Sequence, residues 1–131
     1  MKMKKLISVG LAVVMALAMT SIAFAVAPRY NVIASFDTSG RVTSTSAYAS
    51  TTAVFGESVD ATVKLTLERS KDGSSFSRYR TLASESKYGR MIGVEGEATG
   101  LSSSYEYRIK AEVFAYDDNG NEIDYDYAYI D

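Results

Sequence analysis

The sequence predicts an all-β fold: a single domain of seven short antiparallel strands packed as a sandwich, following an N-terminal signal peptide. Three observations carry this. Apolar and polar residues alternate with period two along most of the chain, Asp-Gly and Asn-Gly turn signals separate the alternating runs, and no amphipathic helical pattern appears after residue 25.

The N-terminus reads as an export leader. Lys2, Lys4 and Lys5 give a positive start, residues 6–27 carry no charge, and residues 6–18 are almost wholly apolar. Ala23-Phe24-Ala25 then places small residues at the −3 and −1 positions of a cleavage site, so Val26 is the expected first mature residue. A second match, Ala25-Val26-Ala27, is disfavoured because Pro28 would follow the cut. An uncleaved membrane anchor is the competing reading, since a span needs ~20 apolar residues. Thr20 and Ser21 interrupt the apolar run too early for that. Two units follow: residues 1–25 as signal peptide and residues 26–131 as one β-sandwich domain.

The strands are placed from the clearest alternation outward. Along residues 60–68, Ala61, Val63, Leu65 and Leu67 alternate with Thr62, Lys64, Thr66 and Glu68. Along residues 105–116, Tyr107, Ile109, Ala111, Val113 and Ala115 face one way, and Glu106, Arg108, Lys110 and Glu112 the other. Weaker runs fill residues 30–36, 41–49, 76–84, 90–98 and 122–130. Lys71-Asp72-Gly73 and Asp118-Asn119-Gly120 mark turns, because aspartate, asparagine and glycine accept the backbone conformations tight hairpins need. Seven strands in about 100 residues is the count of an immunoglobulin-type sandwich.

At Leu101 and Tyr107 the chain resembles a known family. Leu101, followed six residues on by Tyr107 and then by alternating Ile109, Ala111 and Val113, is similar to the sixth-strand entrance of fibronectin type III domains. The resemblance implies that the Tyr107 hydroxyl bonds to backbone a few residues upstream, the "tyrosine corner". Residues 67–76 and 115–122 resemble hairpins of bacterial members. The chain also looks like small secreted bacterial proteins built from a leader and one such sandwich, which implies no activity.

Composition narrows the chemistry. Cysteine and histidine are both absent. Disulfides, a lipid-anchored cysteine, Cys-His or Ser-His-Asp catalysis and the usual zinc or copper ligands are thereby excluded from this sequence. A carboxylate-pair hydrolase is the remaining enzymatic option, and no enzyme is expected. Removing the leader leaves 11 basic against 16 acidic residues, a net charge of −5, which is poorly suited to nucleic acid. No second apolar run of spanning length occurs, so no membrane span is expected in the mature chain. Secretion follows as the expected localisation.

Three side-chain groups invite a functional reading. Asp117, Asn119 and Asn121, with Glu122 and Asp124, gather oxygen ligands of the kind calcium prefers. The glycine comes one place too early for a calcium loop, and Ala128 stands where a bidentate glutamate is needed. A plain hairpin turn is the favoured reading, with no cofactor or metal expected.

Ten tyrosines are the most unusual feature, and Tyr125, Tyr127 and Tyr129 alternate along the last strand. With Phe114 and Tyr116 on the neighbouring strand, they form a candidate binding face for a protein or glycan of the cell envelope. The plainer and preferred reading puts the three tyrosines on the core side. The two differ in exposure: a binding face leaves at least three of the rings more than half exposed. The third group, Arg78, Arg80, Lys87 and Arg90, offers a patch for anionic wall polymers or a carboxylated partner, and the preferred reading is edge-strand charge that discourages aggregation. The function expected is a non-enzymatic extracellular binding module, with assembly through edge strands as the alternative.

Overall fold

A computed structural model of the chain describes residues 32–131. The expected leader, and the cleavage site with it, lies outside the described residues. The chain forms five strands: β1 (Ile33–Val42), β2 (Ala47–Ser70), β3 (Ser77–Ala98), β4 (Glu106–Tyr116) and β5 (Glu122–Ile130). Every pairing is antiparallel. β1 pairs β2, β2 pairs β3 and β4, and β4 pairs β5.

β2 is long enough to pair β1 and then β4 along one edge while β3 runs along the other. Residues 47–54 lie between β1 and residues 91–98 of β3. Residues 59–70 lie between β4 and residues 77–89 of β3. The register slips between these stretches: Val54 faces Met91 and Val59 faces Gly89, so residues 55–58 stand opposite Arg90 alone. Extra residues on one strand bend it and increase its twist. At this bend the Gly56 N–H donates to the Val32 carbonyl at 2.8 Å, and the Gly56 carbonyl accepts the Arg90 guanidinium. The sheet therefore curls into two arms, β1 with the first part of β2 and the last part of β3, and the remainder with β4 and β5.

The curl closes on apolar side chains. Ala49, Ala53 and Phe55 of the first arm and Val63, Leu65, Leu67, Ile109 and Val113 of the second share one buried cluster. Each fully buried Val, Leu or Ile contributes ~1.5–3 kcal/mol. Alanines at 47, 49, 53, 61, 111 and 115 line the same interior, where small side chains let the two arms approach closely. Closure is visible in backbone contacts as well. The Ile33 N–H of β1 donates to the Asp124 carboxylate of β5 at 3.0 Å. Within β3, a Cβ on Gly96 would stand 2.8 Å from the Leu82 carbonyl oxygen, so the two stretches of one strand nearly touch.

The all-β expectation holds, and the strand count is corrected from seven to five. The run 41–49 straddles a turn: Thr43 N–H donates to the Ser46 carbonyl at 2.8 Å, and the Thr43 hydroxyl accepts the Ser46 N–H at 2.9 Å. The run 60–68 lies wholly inside β2. The runs 76–84 and 90–98 both belong to β3, which continues between them because residues 85–89 pair with residues 59–63. The pairing of β2 with β3 thus resumes on either side of the slip at residues 55–58, giving one curled sheet.

The upstream bond expected of Tyr107 is present. The buried Tyr107 hydroxyl accepts the Ser102 N–H at 3.1 Å, while Leu101 is buried beside the core and donates its N–H to the Thr45 carbonyl at 2.9 Å. Among the described residues, no helix is long and apolar enough to cross a membrane.

Candidate functional site

The β4–β5 hairpin sets the geometry of the aromatic residues. Its turn is held by Asp117, whose N–H donates to the Asn121 carbonyl at 2.9 Å and whose carbonyl accepts the Gly120 N–H at 3.0 Å. Gly120 sits at φ 83°, a conformation that disfavours a Cβ. The Asp117 carboxylate accepts the Asn119 and Asn121 N–H groups at 2.9 Å each, and these bonds, foremost that from Asn121, hold its carboxyl below the usual range. The carboxylate thus caps the turn, as a hairpin requires. Among the described residues, no three acidic side chains converge as a metal site.

This turn fixes the register Phe114–Tyr125, Glu112–Tyr127 and Lys110–Tyr129. The inward residues Val113 and Ala111 then face Asp126 and Ala128. Tyr125, Tyr127 and Tyr129 therefore stand on the outward face with Phe114 and Tyr116, not on the core side. Their rings form a continuous row. Successive centroids are 6.4 Å apart for Tyr116–Phe114, 5.0 Å for Phe114–Tyr125, 6.0 Å for Tyr125–Tyr127 and 5.7 Å for Tyr127–Tyr129. These separations fall in the range where aromatic pairs attract.

Charged neighbours extend the row. The Arg108 guanidinium lies 4.2 Å from the Tyr129 centroid and 4.3 Å from that of Phe76, while its Nε bonds Glu68 at 2.7 Å. Lys110 is 5.5 Å from the Tyr127 ring and 3.6 Å from the Glu112 carboxylate. Tyr125 donates its phenol proton to Glu112 at 2.7 Å. Burial first, then this carboxylate, raises the Tyr125 pKa far above the ordinary phenol value. Burial, with Glu122 second, raises that of Tyr116 in the same sense.

Mutual packing limits how much of each ring faces solvent. Tyr127 and Tyr129 are the most open at 42% each, and Phe114, Tyr116 and Tyr125 are part-buried. The exposure expected of a binding face, more than half on at least three of the rings, is not reached. The face is a strip whose members cover one another.

Sequence reasoning missed Phe76, Arg108, Lys110 and Glu112 as members of this strip. The outward alternation of β4 already exposed the last three. What would have joined them to the tyrosines is the hairpin register, countable from Asn119-Gly120. The basic residues are dispersed by contrast. Arg78 donates to the Thr81 hydroxyl at 2.9 Å and Arg90 to the Gly56 carbonyl, while Lys87 borders an open depression. The carboxylate lining that depression is Asp60, set among Thr62, Ser86, Tyr88 and Tyr116.

Fold and site together define a class: an all-β domain made of one curled antiparallel sheet that carries an outward strip of rings edged with ionic groups. No protein-family model matches the chain, and no curated protein matches it. Among solved structures, the chain is similar to Bacteroides uniformis beta-glucuronidase 2 covalently bound to cyclophellitol-6-carboxylate aziridine, at 15% identity and a TM-score of 0.45. That alignment covers 72% of this chain and 12% of the glucuronidase chain.

Proposed function

We propose that the chain is an exported, non-enzymatic binding module that recognises a protein or glycan of the cell envelope through the strip formed by Phe114, Tyr116, Tyr125, Tyr127 and Tyr129. The observation that carries this is the unbroken row of five rings on one outward sheet face, with Arg108 and Lys110 beside it. Tyrosine offers large rigid area with a polar tip and loses little conformational freedom on contact. A strip of self-covering rings suits a partner that spreads along it, such as a protein surface or an extended glycan.

In the same reading, the two arms are the two leaves of a fibronectin type III-like sandwich of seven segments. The bends of β2 and β3 stand where separate strands would begin, and the Tyr107–Ser102 bond supports the assignment. A hydrolase is disfavoured by the single carboxylate in the depression beside Lys87. Assembly through strand edges is disfavoured by charge. The edge formed by the first part of β3 carries Arg78, Arg80, Glu85 and Lys87, and β5 carries Asp124 and Asp126 on its inward side.

The test is a pull-down of cell-envelope material together with a glycan array, using the Tyr125→Ala/Tyr127→Ala double variant as control. Retention by the native chain and its loss in the variant are expected. Equal retention by both proteins would sink the reading.

A further inference from the structure

A second aromatic and cationic group lies at the turn end of the second arm, on the core side of the sheet. Arg69 pairs with Tyr107, so it continues the inward row of β2 beyond Leu67 to the open end of the core. Its guanidinium carbon is 4.0 Å from the Tyr79 ring centroid and 4.1 Å from that of Tyr105. Both rings lie 6.3 Å from the ring of Tyr107, whose hydroxyl is already engaged by Ser102. Two further cations share these rings: Arg80 is 5.1 Å from Tyr79, and Lys71 is 5.8 Å from Tyr105.

Among the described residues, none of the three cations forms an ion pair, and the Arg69 guanidinium donates no hydrogen bond. Two of the nearby acids are occupied: Glu68 is held by Arg108 at 2.7 Å, and the Asp72 carboxylate accepts the Ser74 and Ser75 N–H groups at 2.9 Å each, while Glu106, opposite Ser70, belongs to the outward row of β4 and stands beside Gly73. A guanidinium stacked on rings keeps its N–H fork free in its own plane, the arrangement that accepts a carboxylate in two parallel hydrogen bonds. Arg80, Lys71 and Tyr79 are exposed around it, so the fork is reachable.

We propose that this cluster is a docking site for an acidic peptide segment of a protein partner, with Arg69 taking a carboxylate and Arg80 and Lys71 supplying the surrounding positive field. Arginine and tyrosine are the residue types concentrated at the centres of protein interfaces. The rest of the domain is net acidic, which disfavours such a segment over most of its surface and favours its landing at this cluster. The site is separate from the outward aromatic strip and does not depend on it.

Fluorescence anisotropy of labelled poly-L-glutamate at low salt tests this, with polygalacturonate and inorganic sulfate as parallel probes. The native chain is expected to bind polyglutamate. Arg69→Lys keeps the charge but loses the fork, and weakens binding by about tenfold, a change of ~1.4 kcal/mol. Lys87→Gln removes one charge elsewhere and leaves binding unchanged, as does Tyr125→Ala/Tyr127→Ala. Circular dichroism checks folding, and the exposed pair Lys71→Gln/Arg80→Gln carries the test if Arg69→Lys fails to fold. Failure of the native chain to bind polyglutamate, or equal binding by the cluster variants, overturns the site. Binding of polygalacturonate or sulfate in preference to polyglutamate overturns the peptide assignment.

Discussion

Tyr125 and Glu112 are joined across the β4–β5 hairpin by a 2.7 Å hydrogen bond from phenol to carboxylate, one step diagonal to the register that pairs Tyr125 with Phe114. The bond ties the middle of the ring row to the row of charges beside it. It also gives the phenol a raised pKa in the folded chain, with burial the larger cause. A group whose folded pKa is raised contributes stability that is complete below its unfolded value and is lost as pH rises toward the folded one. Denaturant midpoints are therefore expected to fall as pH climbs above about 10, the unfolded phenol value. Tyr125→Phe should be about 1 kcal/mol less stable at neutral pH, through loss of the bond to Glu112, and should show a shallower alkaline decline.

Tyr107→Phe isolates the corner bond. The ring stays in the core while the Ser102 N–H loses its acceptor. A loss of about 1–2 kcal/mol in urea-unfolding free energy is expected, with an unchanged slope against denaturant. No change in midpoint would show that solvent replaces the phenol there.

Acid stability should draw on Asp72. Its carboxylate accepts the Ser74 and Ser75 N–H groups and is bonded by the Ser70 hydroxyl at 2.7 Å, and these bonds hold its carboxyl well below the usual range. A depressed folded pKa contributes stability above the unfolded value, about 3.9, which disappears as pH falls through the folded one. Asp72→Asn is expected to flatten the decline in melting temperature on acidification. An unaltered acid profile would refute this role.

Gly96→Ala and Gly93→Ala form a matched pair. The new methyl at position 96 would meet the Leu82 carbonyl at 2.8 Å, whereas at position 93 its nearest neighbour is the Thr52 hydroxyl at 3.5 Å. The first should cost about 1–3 kcal/mol by forcing backbone apart, and the second far less. Thermal unfolding of the two variants compares them directly.

The parts of the fold readable in the sequence were those where one face is fully buried. Ala61 to Leu67 and Tyr107 to Ala115 alternate because their inward members are sealed in the core, and both appear as strand in those places. The β1–β2 turn was not readable, since Thr43 to Ser46 closes it with hydroxyl hydrogen bonds and no glycine or proline. The continuity of β3 escaped for a different reason. Residues 84–88 are exposed, so no apolar member marks their period, although their backbone pairs with β2 throughout. The site was half legible: the tyrosines stood out by composition, but their face depended on a register no single strand reveals. Arg69 gave no signal, because what distinguishes it is the meeting of rings from β3 and from the segment before β4.

The bends in β2 and β3 have a consequence for how the domain comes apart. Both arms are threaded by the same two strands, so neither arm can lose its hydrogen bonds without fraying a strand that the other requires. Amide exchange should therefore report one subglobal opening for residues on either side of Gly56, with matched protection at Ala53 and Val63, instead of a labile leaf hinged to a stable one.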